Sequence, residues 1–169
     1  MGSPAYNWLD ALRQARKSQR AARPAQFLDR PQSNAQWFDK SPAPYPAYPA
    51  PGAAAIDVLA LTIPAGLNAI IRQLAIVHVG GNFVDGSGNI VWRVKVNRAG
   101  LRGYSDIQGQ VGQMNMPVET YIPLVEGDVI EVTAEVPAAQ PAMPAGTTTA
   151  ARLVGWYYPA TYTEETHAA

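Results

Sequence analysis

The sequence predicts an all-β body behind an extended N-terminal arm, and three observations predict it. Beyond Gly52 apolar residues recur with period two in short runs, separated by clusters of Gly, Pro, Asn and Asp, the pattern of half-buried strands joined by turns. Eight of the 15 prolines lie before residue 52, where they bar both helix interior and central strand. A net charge of zero conceals a split: residues 1–52 hold seven Lys/Arg against Asp10, Asp29 and Asp39, while residues 53–169 hold six against ten Asp/Glu. The two sides of Gly52 are therefore different kinds of object. The chain divides into an arm, residues 1–52, a β-sandwich domain, residues 53–160, and a tail, residues 161–169.

In the arm, residues 7–22 read as one short helix. Asn7 is placed as its N-cap, Asp10 falls in the first turn, and Ala, Leu, Arg and Gln sustain it. Trp8, Leu12 and Ala15 share one face, while Arg13, Arg16, Lys17 and Arg20 spread over the rest. So few apolar positions do not hold a lone helix together in water. Further on, residues 41–52 run SPAPYPAYPAPG, a polyproline II strap in which each Pro fixes φ and pushes its predecessor toward extended geometry. Trp8, Phe27, Trp37, Phe38, Tyr45 and Tyr48 are large rings in a stretch with no periodic core of its own, and a spacer has little use for them. They read as anchors on a partner's surface, with Leu12, Arg13, Arg16 and Arg20 beside them. The arm's charge suits an acidic protein surface better than nucleic acid, because the body offers no basic face to continue a phosphate track.

In the body, residues 56–62 alternate imperfectly and end at Pro64-Ala65-Gly66. Residues 70–79 form a nearly continuous apolar run, the signature of a central strand. Asp85-Gly86-Ser87-Gly88-Asn89 is a hairpin connection, and residues 90–97 follow with Trp92, Val94 and Val96 on one side. Residues 103–113 are weak strand or loop. Residues 118–125 read as a strand whose Pro123 marks an edge or bend. Glu126-Gly127-Asp128 turns the chain into the clean alternation of residues 129–136, residues 137–148 form a loop, and residues 151–158 make the last strand. Six to eight strands at this spacing, without a credible helix, predict a β-sandwich or barrel.

The same inventory excludes several functions. No Cys removes disulfides, thiolate metal sites and cysteine nucleophiles. No apolar run approaches the ~20 residues of a membrane span, and Met1 opens onto Gly-Ser-Pro; the expectation is a soluble chain without a membrane partner. Of the two His, His78 sits between Val77 and Val79 as a structural strand residue, and His167 lies in the tail. No P-loop, nucleophile elbow or HExxH motif occurs, and Asp85, Ser87 and Asn89 lack the ligand count of a calcium loop. The expectation is no enzyme, no metal and no cofactor.

Trp156, Tyr157 and Tyr158 are adjacent, so Trp156 and Tyr158 share one face of the last strand and Tyr157 takes the other. A single sandwich core cannot take both sets. With Tyr121, Trp156 and Tyr158 are the expected oligomer interface.

Three stretches together resemble the jelly-roll of the tumour necrosis factor and complement-type globular head superfamily. Ile63-Pro64-Ala65-Gly66 is similar to its "IP..G.Y" entry, with Leu67-Asn68-Ala69 in place of the usual aromatic. Leu124 to Val132, LVEGDVIEV, is similar to its "L..GD.I.V" hairpin, and Ala151-Arg152-Leu153-Val154-Gly155-Trp156-Tyr157 to its closing strand. The likeness covers residues 56–158 and implies a jelly-roll sandwich that forms homotrimers, an architecture also found in decoration and fibre proteins of tailed-bacteriophage heads. No collagen-like stalk precedes the domain here; the Pro/Tyr arm stands in its place. The resemblance implies a non-enzymatic virion protein, a capsid cement or decoration protein. Its arm would clamp the major capsid protein or other virion subunits. A carbohydrate-binding head of a fibre or spike, or a neck or tail adaptor, is the alternative.

Overall fold

The structure, a computed structural model, describes residues 34–81 and 88–160. It contains strands β1 (Gln36–Lys40), β2 (Ile56–Thr62), β3 (Leu67–Val79), β4 (Val91–Val96), β5 (Ala99–Gly100), β6 (Val118–Leu124), β7 (Val129–Glu135) and β8 (Thr148–Pro159), with no helix among the described residues. They form two four-stranded sheets, ordered β1-β8-β3-β6 and β2-β7-β4-β5, and every pairing is antiparallel. Only the β4–β5 connection stays within one sheet; every other connection passes from one sheet to the other. The expected helix at residues 7–22, the 161–169 tail and most of the 85–89 hairpin connection lie outside the described residues.

The core follows from the alternation. β4 sends Trp92 and Val94 inward, β7 sends Ile130, Val132 and Ala134, and β8 sends Ala151 and Leu153, all buried between the sheets. β3 and β8 are the long central pair of the first sheet. β3 is buried along most of both faces, which is why its sequence is a nearly unbroken apolar run. Pro123 sits in edge strand β6, where a missing N–H costs nothing.

Two register shifts explain where the alternation falters. β2 is bulged between Asp57 and Leu59, and β3 between Ile71 and Gln73. Val58 is the extra residue against β7 and Arg72 the extra residue against β8, whereas on the β6 side Thr120 and Tyr121 both fall opposite Arg72; each irregularity re-aims the side chains around it.

One polar seam uses the buried indole. Trp92 Nε1 donates to Thr149 Oγ1 at 2.9 Å, and Thr149 Oγ1 donates onward to the Val77 carbonyl at 3.2 Å. The buried hydroxyl thus gives Trp92 the acceptor its N–H needs.

Residues 36–52, which composition groups with the arm, pair and pack with this chain's own sandwich. β1 pairs with β8 at the edge of the first sheet and buries Phe38 in the core. The strap then crosses to the second sheet. Thr149 N donates to the Pro46 carbonyl at 2.9 Å, and Gly52 N to the Val136 carbonyl at 2.9 Å. Between these points Tyr48 packs on the core. Prolines suit this path because the strap crosses strand ends, where few of its own N–H groups have ladder partners to lose.

Candidate assembly surface

Strand alternation makes the first sheet two-faced. From β8, Tyr157 packs on the core while Trp156 and Tyr158 point away from it, as their adjacency predicts. The outer pair meets Ile70 of β3 in a small apolar cluster separate from the main core, because Ile70 lies directly across from Trp156 in the ladder. On the other flank β1 places Trp37 opposite Trp156, and the two indoles meet edge to face with centroids 5.0 Å apart, the geometry that ring quadrupoles favour. Trp156 and Tyr158 are buried, whereas Trp37 is 61% exposed and Tyr121, on β6, 40%.

Arg72 brings a cation into this aromatic patch. It is the extra residue of β3 against β8, and its guanidinium reaches both neighbouring strands, with its carbon 5.7 Å from the Tyr121 ring centre and 5.9 Å from that of Trp156. Stacked between two rings, a guanidinium is held in orientation. Burial, together with the nearby Tyr121, pushes the Tyr158 phenol above its ordinary range. Further along, Arg152 grips Asp39 through Nε at 2.8 Å and Nη2 at 2.5 Å, and donates from Nη1 to the Met114 carbonyl. The Arg152 bond holds the Asp39 carboxyl below its usual value, against a smaller opposing effect of burial. This clamp fastens β1 to β8 and to the loop before β6.

The structure brings together residues that the sequence divides between two roles. Trp37, expected as an arm anchor, joins Tyr121, Trp156 and Tyr158, expected as an oligomer interface, in one patch. Phe38 faces the core instead. Tyr45 is partly exposed on the strap, and Tyr48 belongs to the core. Trp8, Leu12, Arg13, Arg16, Arg20 and Phe27 lie outside the described residues. Arg72 was not singled out from the sequence, although two polar residues, Arg72-Gln73, inside an apolar strand run are the signal that a bulge leaves.

His78 packs and bonds within the fold. Its ring stacks on Tyr48, with centroids 5.5 Å apart. Nε2 lies 3.3 Å from the Gly81 carbonyl, which only accepts, so the neutral ring carries its proton there. Nδ1, 3.0 Å from Tyr48 Oη, then accepts the phenol hydrogen. Among the described residues no group of three or more His, Cys, Asp or Glu is placed to hold a metal ion.

No family model matches the chain, and no curated protein matches it.

Proposed function

We propose that this protein is a non-enzymatic assembly protein, a jelly-roll that forms a homotrimer and acts as a capsid cement or decoration protein of a tailed-bacteriophage virion. The carrying observation is the aromatic outer face of the β1-β8-β3-β6 sheet, with Trp37 and Tyr121 exposed beside Trp156 and Tyr158. One buried sandwich face already satisfies the fold, and a second aromatic face is surplus to it. Support for the jelly-roll comes from eight strands in two sheets whose connections, β4–β5 apart, alternate between the sheets.

Residues 1–33 then serve as the clamp on the capsid. They hold six Lys/Arg against Asp10 and Asp29, with Trp8, Leu12 and Phe27 as apolar anchors. Burying apolar area at ~25 cal/mol per Å² has to exceed an ordering cost of about 1–2 kcal/mol per residue, which is work for large rings. Three arms on one trimer would multiply a weak grip. The test is co-sedimentation with capsid shells: the full chain binds, and a chain lacking residues 1–33 does not. Equal binding by both overturns the clamp.

The exposed Trp37 ring, edge-on to Trp156, favours one second reading, a carbohydrate-binding head, since a flat exposed indole is also a sugar platform. Glycan-array binding that Trp37→Ala abolishes would support it over cementing.

A further inference from the structure

Three short turns meet at one end of the sandwich, and side chains tie them into a single piece. They are residues 63–66 between β2 and β3, Asn97-Arg98 between β4 and β5, and residues 125–128 between β6 and β7. Asn97 Nδ2 donates to Asp128 Oδ1 at 2.7 Å, and Asn97 Oδ1 accepts from Val129 N at 2.9 Å. Asp128 Oδ2 accepts from Val125 N at 2.8 Å, and Asn68 Oδ1 accepts from Glu126 N at 3.1 Å. Backbone bonds close the first turn onto the third, from Ile63 N to the Asp128 carbonyl and from Gly127 N to the Ile63 carbonyl. The tips are exposed at Pro64, Ala65, Arg98, Val125 and Glu126. Arg98 holds a left-handed φ of 68°, a conformation that a hairpin turn ordinarily gives to Gly.

The described chain enters and leaves the fold at this same end. Ala35 packs on the cluster of Ile70, Trp156 and Tyr158, in the part of the ladder that closes with Leu67 opposite Pro159. Ala160 N bonds to the Gly66 carbonyl at 2.9 Å. We propose that this braced end is the surface that seats on the capsid, with Ala65, Arg98 and Val125 in the contact, and that the far end of the sandwich points away from the shell. This rests on the reading of residues 1–33 as a clamp and names the part of the body that the clamp draws down.

Reach decides between the two ends. Phe27 stands seven residues before Asn34, so it lies within ~25 Å of that point even in a fully extended chain. β3 runs the length of the sandwich with 13 residues, about 40 Å at the rise of a strand. Phe27 and Leu28 cannot reach the other end, so the surface that holds them stands nearer this one. Charge fits a protein occupant. At the tips Arg98 is offset by Glu126, and the Asp128 carboxylate is bonded to Asn97 and to the Val125 N–H, which leaves small and apolar groups to make the contact. The six Lys/Arg of residues 1–33 meet the acidic part of the shell. Turns already braced lose little freedom on docking. A cyclic trimer turns this end of all three copies to the same side, so three platforms seat together.

The chain has no Cys, so a single introduced thiol reports on its own site. Ala65→Cys and Val125→Cys at this end, and Ala139→Cys, exposed in the connection from β7 to β8 at the far end, are made in the full chain. Each is labelled with a maleimide, free and bound to capsid shells. Shells should slow labelling at positions 65 and 125 at least about tenfold, because a packed contact excludes the reagent, and leave position 139 within about twofold of the free protein. Thermal melts check the fold; should a variant at this end not fold, amide exchange of the parent, free and on shells, reads the same turns without a substitution. Arg98→Gly, which suits the left-handed backbone better, should melt no lower than the parent and yet weaken retention by shells; unchanged retention overturns the part of Arg98 in the contact. Equal labelling at all three positions overturns the seating, as does protection at position 139 instead. If shells still retain the full chain and not the chain lacking residues 1–33, the clamp stands and only the seating falls. A full chain that shells do not retain overturns both. Vesicles of anionic lipid that protect positions 65 and 125 where shells do not overturn a protein surface as the occupant.

Discussion

Phe38 occupies the space that a side chain at Gly155 would need. The two residues are paired across β1 and β8, and a β-carbon at 155 would come within 3.0 Å of Phe38 Cζ and 2.1 Å of the Ile70 carbonyl oxygen. An aromatic lying over a cross-strand glycine covers backbone that would otherwise be bare. Gly155→Ala should therefore destabilise the protein by about 3 kcal/mol through forced strand displacement. Phe38→Ala should cost about 3–5 kcal/mol by emptying the same space. Urea denaturation midpoints at constant m-value measure both, and a Gly155→Ala protein as stable as its parent contradicts the close approach.

Thr149 Oγ1 accepts the Trp92 indole N–H inside the core, so removing its hydroxyl takes a hydrogen bond from a buried donor. Thr149→Val, close in shape, should cost about 1–3 kcal/mol, and Thr149→Ser, which keeps the oxygen, distinctly less. Thr133 supplies the opposite case. Its hydroxyl oxygen is buried and finds no partner, so Thr133→Val removes a desolvated group without breaking a bond. That substitution should be neutral or stabilising by up to about 1 kcal/mol. Thermal melts of the three variants should place Thr133→Val at or above the parent and Thr149→Val lowest.

Much of the sandwich was legible because burial writes period two into a strand. The alternation of Trp92, Val94 and Val96 and the apolar run of β3 located central elements, and Pro123 pointed to an edge or a bend, of which the edge is found. β1 was not legible. Its five residues, QWFDK, carry one inward side chain, Phe38, and one ring does not make a period. The strap's prolines announced its extended backbone, but nothing local showed that Tyr48 would find this chain's own core. The aromatic patch was half legible: Trp156 and Tyr158 lie close in sequence, whereas Trp37 and Arg72 join them only through strand pairing.

The strap's anchor should respond to loss of the phenol in two stages. Tyr48→Phe keeps the ring on the core and on His78 but removes the hydrogen bond to Nδ1, a cost of about 1 kcal/mol. Tyr48→Ala also removes the packing, and about 3–5 kcal/mol should go with it. Amide exchange at Thr149, whose N–H bonds to the Pro46 carbonyl, should accelerate in Tyr48→Ala relative to the core of β7. Unchanged protection at Thr149 would mean that the strap is held elsewhere.

Two carboxylates set a modest acid dependence. The Arg152 bond lowers the Asp39 pKa, and the Arg93 bond lowers that of Glu135. A depressed carboxyl stabilises the fold fully above its unfolded value near ~4, and the stabilisation fades as pH falls through the lower folded value. Asp39 is 50% exposed and Glu135 30%, so solvent screening keeps each pair within about 1 kcal/mol. Stability should thus decline as pH drops from about 5 toward about 2. Asp39→Asn and Glu135→Gln should each flatten that decline without altering the plateau shape near neutrality, as read from denaturation midpoints across the range.

Where the chain is cut decides which property is lost. Removing residues 1–33 leaves every described strand in place, so the shortened chain should melt within a few degrees of the parent and self-associate as the parent does. Removing residues 1–52 also takes β1, the Phe38 ring over Gly155, the Asp39–Arg152 clamp, the Tyr48 anchor and Trp37. That deletion exposes the β8 edge, with its unpaired backbone groups and the apolar surface beneath Phe38, a ready template for unwanted pairing. It should lower the melting temperature sharply and promote aggregation, so any loss of capsid binding there would report unfolding rather than a missing clamp. Light scattering and thermal melts on the two truncations separate the cases: a 1–52 deletion as stable and monodisperse as the 1–33 deletion would place β1 outside the folding unit.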